Sequence, residues 1–416
     1  LRSERFYLRP IPPAAHDHYV VPVRDVELDF SREEYAARLA KVRAAMDAAG
    51  VEVMVAADSS NMAWLTGYDG WSFYTPQAVV VSHDGEPWWW GRRMDANGAR
   101  RTVYMDESRI LDYSDDHVMS IEHHAFAQLG GLLLDLGLSS GRVGVELDNY
   151  YYSAAAHQNL VAALPDTEVV DATGLINWQR GVKSEQELVY MRRAARIVEL
   201  MHERIRELVE PGMRKCDLVG EIYRTAMSGT EEFGGDYAAI VPMLPTGADA
   251  SAPHLTWDDK PFERGAGTFF EIAGAHRRYQ LPLCRSVYLG TPPPEMLEVE
   301  KALLDALENG LDAARAGNRA CDVANALYGT LEKVGIHKEG RCGYPIGLSY
   351  PPDWGERTIS FRPTDESILK PGMTFHFMPG IWMDDWGLEI TESLLIRDEG
   401  PAEPLANYPR GLFVKD

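Results

Sequence analysis

Cysteine is scarce in this chain: four residues in 416, Cys216, Cys284, Cys321 and Cys342, widely spaced and with no C-x-x-C pair. That leaves neither a zinc knuckle nor a redox motif, and a reduced, cytoplasmic chain is expected. Basic residues are also outnumbered, 41 Lys and Arg against 63 Asp and Glu, for a net charge of −22. Such a surface repels nucleic acid and anionic membrane and favours solubility, so neither partner is expected. No apolar run is long enough to span a bilayer. Residues Leu1 to Val20, with Arg2, Arg5, Arg9 and three prolines, lack the apolar region of a signal peptide.

The content that remains is ordinary for a globular protein, 45% hydrophobic and 10% aromatic, and the length allows two domains. Ser31 with Glu34 reads as a capping box. Tyr35, Leu39, Val42 and Met46 follow at helical spacing until Gly50. Strands are expected at residues 51–57, 78–82, 87–91 (around an Asp84-Gly85 turn), 142–147 and 168–171, with helices between them. Trp88, Trp89 and Trp90 read as part of a buried strand. This alternation predicts an α/β domain over residues 1–178. A second capping box, Ser184 with Glu187, opens a long helix that Glu210-Pro211-Gly212 stops.

Residues 179–416 repeat themselves. Gly212-Met213-Arg214-Lys215-Cys216-Asp217-Leu218 is echoed 105 positions later by Gly317-Asn318-Arg319-Ala320-Cys321-Asp322-Val323, and Tyr223 is matched by Tyr328. At an offset of 106, Phe269 to Gly274 is matched by Phe375 to Gly380. Three stretches at nearly one offset imply a duplicated unit, and two copies are too few for a solenoid. A closed domain with pseudo-two-fold symmetry is expected.

Several stretches resemble the pita-bread family of creatinase, prolidase and methionine aminopeptidase: Asn61 to Gly67, Val182-Lys183-Ser184 leading into Arg192-Arg193-Ala194-Ala195, Gly343 to Gly347, and Gly372 to Trp382. The resemblance covers nearly the whole chain. It implies an α/β N-terminal domain followed by an α+β pita-bread domain. In peptidases of this fold two Asp, one His and two Glu hold two divalent metals. The matching positions here carry Glu271, Pro282, Tyr344, Met378 and Thr391. Pro and Met offer no oxygen of the kind a hard cation prefers, so no metal and no cofactor is expected. A single metal on Glu271, His254 and Glu392 is the alternative.

His254 matches the histidine that creatinase uses for proton transfer, and Tyr279 and Arg285 also keep their places. The resemblance therefore implies a metal-free hydrolase of a small cyclic amidine, opening ectoine to N-acetyl-L-2,4-diaminobutyrate. Glu271 would pair with the amidinium and either attack its carbon or activate water, and His254 would move the proton. The other reading of Glu271 is an ion pair with Arg285, and of His254 a loop histidine bonding backbone groups. Tyr344 and Met378 are candidates for substrate contact or core filling. Trp71 and Tyr74 lie in the segment that, in this family, reaches a partner subunit's site, so a homodimer is expected. Arg277, Arg278, Arg285, Arg92 and Arg93 are all candidates for a substrate carboxylate. His117, His123 and His124 form no recognised metal spacing. Creatinase-like hydrolysis and a non-catalytic binding or scaffold protein are the competing functions.

Overall fold

The computed structural model describes residues 26–416; the reading made of Leu1 to Val20 lies outside them. Helix α1 (Arg32–Ala49) begins where the Ser31 hydroxyl accepts the Glu34 amide and ends at Gly50, whose φ of 63° suits glycine. Its expected apolar face, Tyr35, Leu39, Val42 and Met46, is buried. The capping box is only half formed, because the Glu34 carboxylate turns instead to Arg38 (2.7 Å) and to the Ser184 hydroxyl (2.7 Å).

The chain then runs through β1 (Val53–Ala56), α2 (Ser59–Thr66), β2 (Ala78–Ser82), β3 (Trp88–Arg92), α3 (Ala96–Thr102), β4 (Ile110–Tyr113), α4 (Ala125–Asp135), β5 (Arg142–Val145), α5 (Ala154–Ala163) and β6 (Glu168–Asp171). The six strands form one sheet in the order β4-β3-β2-β1-β5-β6, antiparallel across β1, β2 and β3 and parallel elsewhere. Trp89 and Trp90 are fully buried and belong to different apolar clusters, one on each face of the sheet. Strand β4 went unread in the sequence: it is four residues long, carries Asp112, and shows no clear alternation.

Helix α6 (Leu175–Arg180) leads to α7 (Glu185–Leu208), where the Ser184–Glu187 capping box is complete. Then come α8 (Lys215–Ser228), the antiparallel pair β7 (Gly267–His276) and β8 (Tyr279–Leu289), and α9 (Pro294–Ala313) with α10 (Ala320–Glu332). Short strands β9 (Gly343–Pro345), β10 (Thr374–Phe377), β11 (Gly380–Trp382), β12 (Gly387–Glu389), β13 (Glu392–Leu395), β14 (Glu403–Pro404) and β15 (Phe413–Lys415) complete the fold.

The sequence repeat is also a structural one. Gly212 and Gly317 adopt φ of 92° and 88°. Their amides donate to Phe262 and Leu369, each at 2.9 Å. Arg214 pairs with Asp217 at 2.7 Å as Arg319 pairs with Asp322 at 2.9 Å, at the starts of α8 and α10. The two copies bring β7–β8 and β9–β10–β13 together, and their facing side chains form the site.

Candidate active site

Alternation along β7 sends Phe270 and Ile272 into the main core and leaves Glu271 on the opposite face with Phe269. Glu271 sits opposite Cys284 of β8, exchanges backbone hydrogen bonds with Met243, and is only 6% exposed. From the other copy, β10 points Phe375 and Phe377 into a second core and turns His376 toward Glu271, with Nδ1 at 4.0 Å from the carboxylate.

His376 is fully buried, and both ring nitrogens are engaged. Nδ1 meets the Tyr344 hydroxyl at 3.1 Å, and Nε2 meets the Thr391 hydroxyl at 2.8 Å. Trp354 Nε1 donates to the Tyr344 oxygen (2.6 Å), and the Cys284 amide donates to Thr391 Oγ1 (2.8 Å). Burial, reinforced by the charge of Arg341, pushes the imidazole down to about 3, so the ring is neutral and relays hydrogen bonds between two hydroxyls.

A second carboxyl completes the cluster. Glu389 on β12 is 2% exposed, its Oε2 has no hydrogen-bond partner among the described residues, and burial raises it to about 7. Glu271 is raised well above the ordinary carboxyl range, first by burial and then by the charge on Glu389. The Cys284 thiol, beside both carboxyls, is pushed up by burial and then by their charges. Burial lowers the Lys338 ammonium, which faces Glu389, donates to the Gly380 carbonyl at 2.7 Å and lies 4.5 Å from the Trp382 ring. Two buried acids that resist simultaneous ionisation can pass a proton near neutral pH, and together they suit a ligand that brings a positive charge.

The candidates named from sequence divide. Glu271 and Tyr344 meet in this cluster, whereas Met378, half-buried just after β10, donates its amide to the Cys342 carbonyl (2.7 Å) and packs its side chain against the main core. His254 stands exposed on the loop after the short turn Gly247–Ser251, with no hydrogen bond among the described residues. Tyr279 does not reach the cluster: at the far end of β8 its hydroxyl donates to Glu187 (2.7 Å). Arg285 faces the other side of β8, where it pairs with Glu392 at 2.8 Å and donates to the Cys284, Thr391, Pro409 and Tyr408 carbonyls. That overturns the reading of Glu271 as the ion-pair partner of Arg285. Trp71 and Tyr74 are 58% and 63% exposed, with Trp71 edge-on to Tyr237. Among the arginines, Arg277, Arg278, Arg92 and Arg93 are paired with Asp29, Asp69, Asp115 and Asp112. His117 bonds the His123 carbonyl on an exposed loop.

Sequence reasoning missed His376, Glu389, Trp354 and Arg341. A histidine between two phenylalanines on a strand was one signal. Another was that Glu389 lies only two residues before Thr391, a position already under scrutiny. Arg341 places its guanidinium 4.4 Å from the Tyr344 ring centre and has no carboxylate partner among the described residues.

Fold and site together define a creatinase-type hydrolase: residues 189–398 match metallopeptidase family M24 and residues 38–182 match the creatinase/prolidase N-terminal domain, and the chain belongs to this family. It is 58% identical to the ectoine hydrolase of Halomonas elongata across 94% of this chain and 99% of that one. It is 24% identical to a Bacillus creatinase, covering 93% of each. In structure it resembles the prolidase of Thermococcus sibiricus (TM-score 0.79, 19% identity, 91% and 99% covered) and a dipeptidase of Pyrococcus horikoshii (TM-score 0.76, 22% identity, 91% and 99% covered).

The family name implies metal, but the donors here do not fit a hard divalent pair. Among the described residues no three His, Cys, Asp or Glu side chains are grouped to hold an ion. The positions facing the cluster offer a thiol at Cys284 and hydroxyls at Tyr344 and Thr391, and both nitrogens of His376 are taken by those hydroxyls.

Proposed function

We propose that this protein hydrolyses ectoine without a metal, opening the cyclic amidine to N-acetyl-L-2,4-diaminobutyrate. The observation that carries the reading is the 58% identity to an ectoine hydrolase over nearly the whole of both chains, joined to a buried Glu271–Glu389 pair suited to a cation. The amidinium displaces a proton from the pair and lies against Glu271 as a planar N–H fork. Glu271 then attacks the amidine carbon or takes a proton from the attacking water. The C–N bond breaks, oxygen from water ends on the acetyl carbon, and both water protons end on the nitrogen that leaves as an ammonium. Glu389, near neutrality, and His254, on the exposed loop after Ser251, are the proton carriers. Tyr344 is held by Trp354 and His376 and contacts the ring, Met378 forms an apolar wall, and Arg341 takes the substrate carboxylate.

In this reading residues 1–178 and 179–416 are the two domains. Tyr279 and Arg285 brace the site from outside it. The enzyme works in the cytoplasm as a homodimer, with Trp71 and Tyr74 closing the pocket of the partner subunit. Among the described residues no helix is long and apolar enough to cross a membrane.

The test is to incubate the purified protein separately with ectoine, creatine and a proline dipeptide, with and without chelator, and to follow products by proton NMR. Ectoine should disappear as an N-acetyl product forms, equally in both conditions. Turnover of creatine or the dipeptide but not ectoine, or loss of activity on chelation that metal restores, would overturn the proposal.

A further inference from the structure

On the back of the catalytic strands lies a cavity of about 220 Å³, walled by His202, Arg206, Arg285, Tyr408, Arg410 and Phe413 among others. Strand alternation explains its position. Cys284 and Thr391 turn toward the Glu271 cluster, and their neighbours Arg285 and Glu392 turn the opposite way.

Three guanidinium groups line this cavity around a single buried carboxylate. Glu392 Oε1 accepts from Arg285 (2.8 Å) and from Arg410 (2.9 Å), and Arg410 reaches the exposed Glu308 with its other end. Arg206 has no carboxylate partner among the described residues, and its guanidinium carbon lies 4.2 Å from the Phe413 ring centre, which fixes it at the cavity wall. Burial and the charge of Arg285 push His202 down to about 3, so it adds no charge. The Tyr408 ring stands between Arg206 and Arg285, 6.0 and 5.9 Å from their guanidinium carbons. Tyr408 is 9% exposed; burial pushes its hydroxyl up while the adjacent Arg206 guanidinium pulls it down, and the hydroxyl donates to no acceptor among the described residues. An orphaned buried donor beside a surplus of cations is a group waiting for an acceptor. The surplus is local, since the chain as a whole carries −22.

We propose that this cavity binds a small oxyanion, a carboxylate or a phosphate, held by Arg206, Arg410 and the Tyr408 hydroxyl. The volume leaves room for such an ion with accompanying water. Its occupant would touch Arg285, which donates to the carbonyls of Cys284 and Thr391 and so braces the strands of the active site from behind.

The proposal is tested by titrating the intact protein with inorganic phosphate and with acetate at constant ionic strength, using calorimetry and thermal melting. Saturable one-to-one binding of either anion is expected, and whichever binds more tightly identifies the chemistry. Arg206→Gln and Tyr408→Phe should each weaken that binding about tenfold, the worth of one charge-assisted hydrogen bond. Both should retain the wild-type melting temperature in the absence of anion, since Arg206 is exposed and Tyr408→Phe removes a single oxygen. Absence of saturable binding by both anions, or affinity unchanged in both variants, would overturn it.

Discussion

A carboxyl buried beside another carboxyl keeps its proton, and Glu271 is held in that state until a cation arrives. Glu271→Gln is nearly isosteric with the protonated acid and breaks no ion pair with Arg285. The variant should therefore melt close to wild type, while ectoine turnover falls by about 10²–10⁴ or more. Turnover and melting measured on one preparation check this; a well-folded variant with a tenth of the activity would refute the role. Glu389 gives a pH signature. Its folded pKa is raised from 4.5 to about 7, so the folded chain binds this proton more tightly than the unfolded chain. That stabilisation is complete below the unfolded value and is lost as pH rises through about 7. His376 acts with the opposite sign: lowered from 6.5 to about 3, it costs stability as pH falls across that interval. Glu389→Gln removes the first effect, relieves part of the pressure on Glu271, and leaves that of His376 in place. Its melting temperature should decline less than that of wild type between about pH 5 and about pH 8; parallel curves would show that Glu389 is not held protonated in the fold.

The elements that position these groups were legible to different degrees, for physical reasons. Ser184 and Glu187 announce α7 because both halves of a capping box are local in sequence. The glycine-led starts of α8 and α10 were legible because a positive φ and an Arg–Asp pair three residues apart recur together. Strand β4 was not, since its pairing partner β3 supplies what its own pattern lacks. Nor was the Glu271–Glu389 meeting, which depends on β7 and β12 being brought together by the pseudo-symmetric fold. The same holds for Arg285: its place on β8 was legible, but which face it takes depends on register. Close packing between elements also yields a test. A Cβ on Gly274 of β7 would lie 2.1 Å from the Ala194 carbonyl oxygen and 2.7 Å from the Val198 nitrogen, both backbone atoms of α7. Gly274→Ala must push α7 off the sheet and should cost about 3 kcal/mol, the upper end of what overpacking usually costs. Gly220, exposed in α8 with nothing within 4 Å of its Cβ position, is the control. Gly220→Ala should gain about 0.5–1 kcal/mol from helix propensity. Denaturant unfolding of both distinguishes steric exclusion from a general cost of replacing glycine.

At the scale of the whole molecule the exposed aromatics are the feature most at odds with a solitary acidic chain. Trp71 is 58% exposed, Tyr74 63% and Tyr150 56%. Trp71 rests on Phe73 and Tyr237, and the Tyr237 ring is in turn covered by Arg278, which is paired with Asp69. Aromatic and arginine side chains are what protein interfaces concentrate, and a monomer gains nothing by leaving such a group in water. A partner of the same sequence would cover it and bring aromatic faces to an amidinium ring, which they bind by cation–π attraction. Sedimentation should therefore give the mass of a dimer, and Trp71→Ala should raise the Michaelis constant for ectoine, weaken the dimer, or both. Because Trp71 is mostly outside the core, the variant should fold, so its melting curve separates a lost interface from a damaged domain. A Trp71→Ala protein that dimerises as wild type does, with an unchanged Michaelis constant, would assign the segment to plain surface and leave the pocket to be closed by one chain alone.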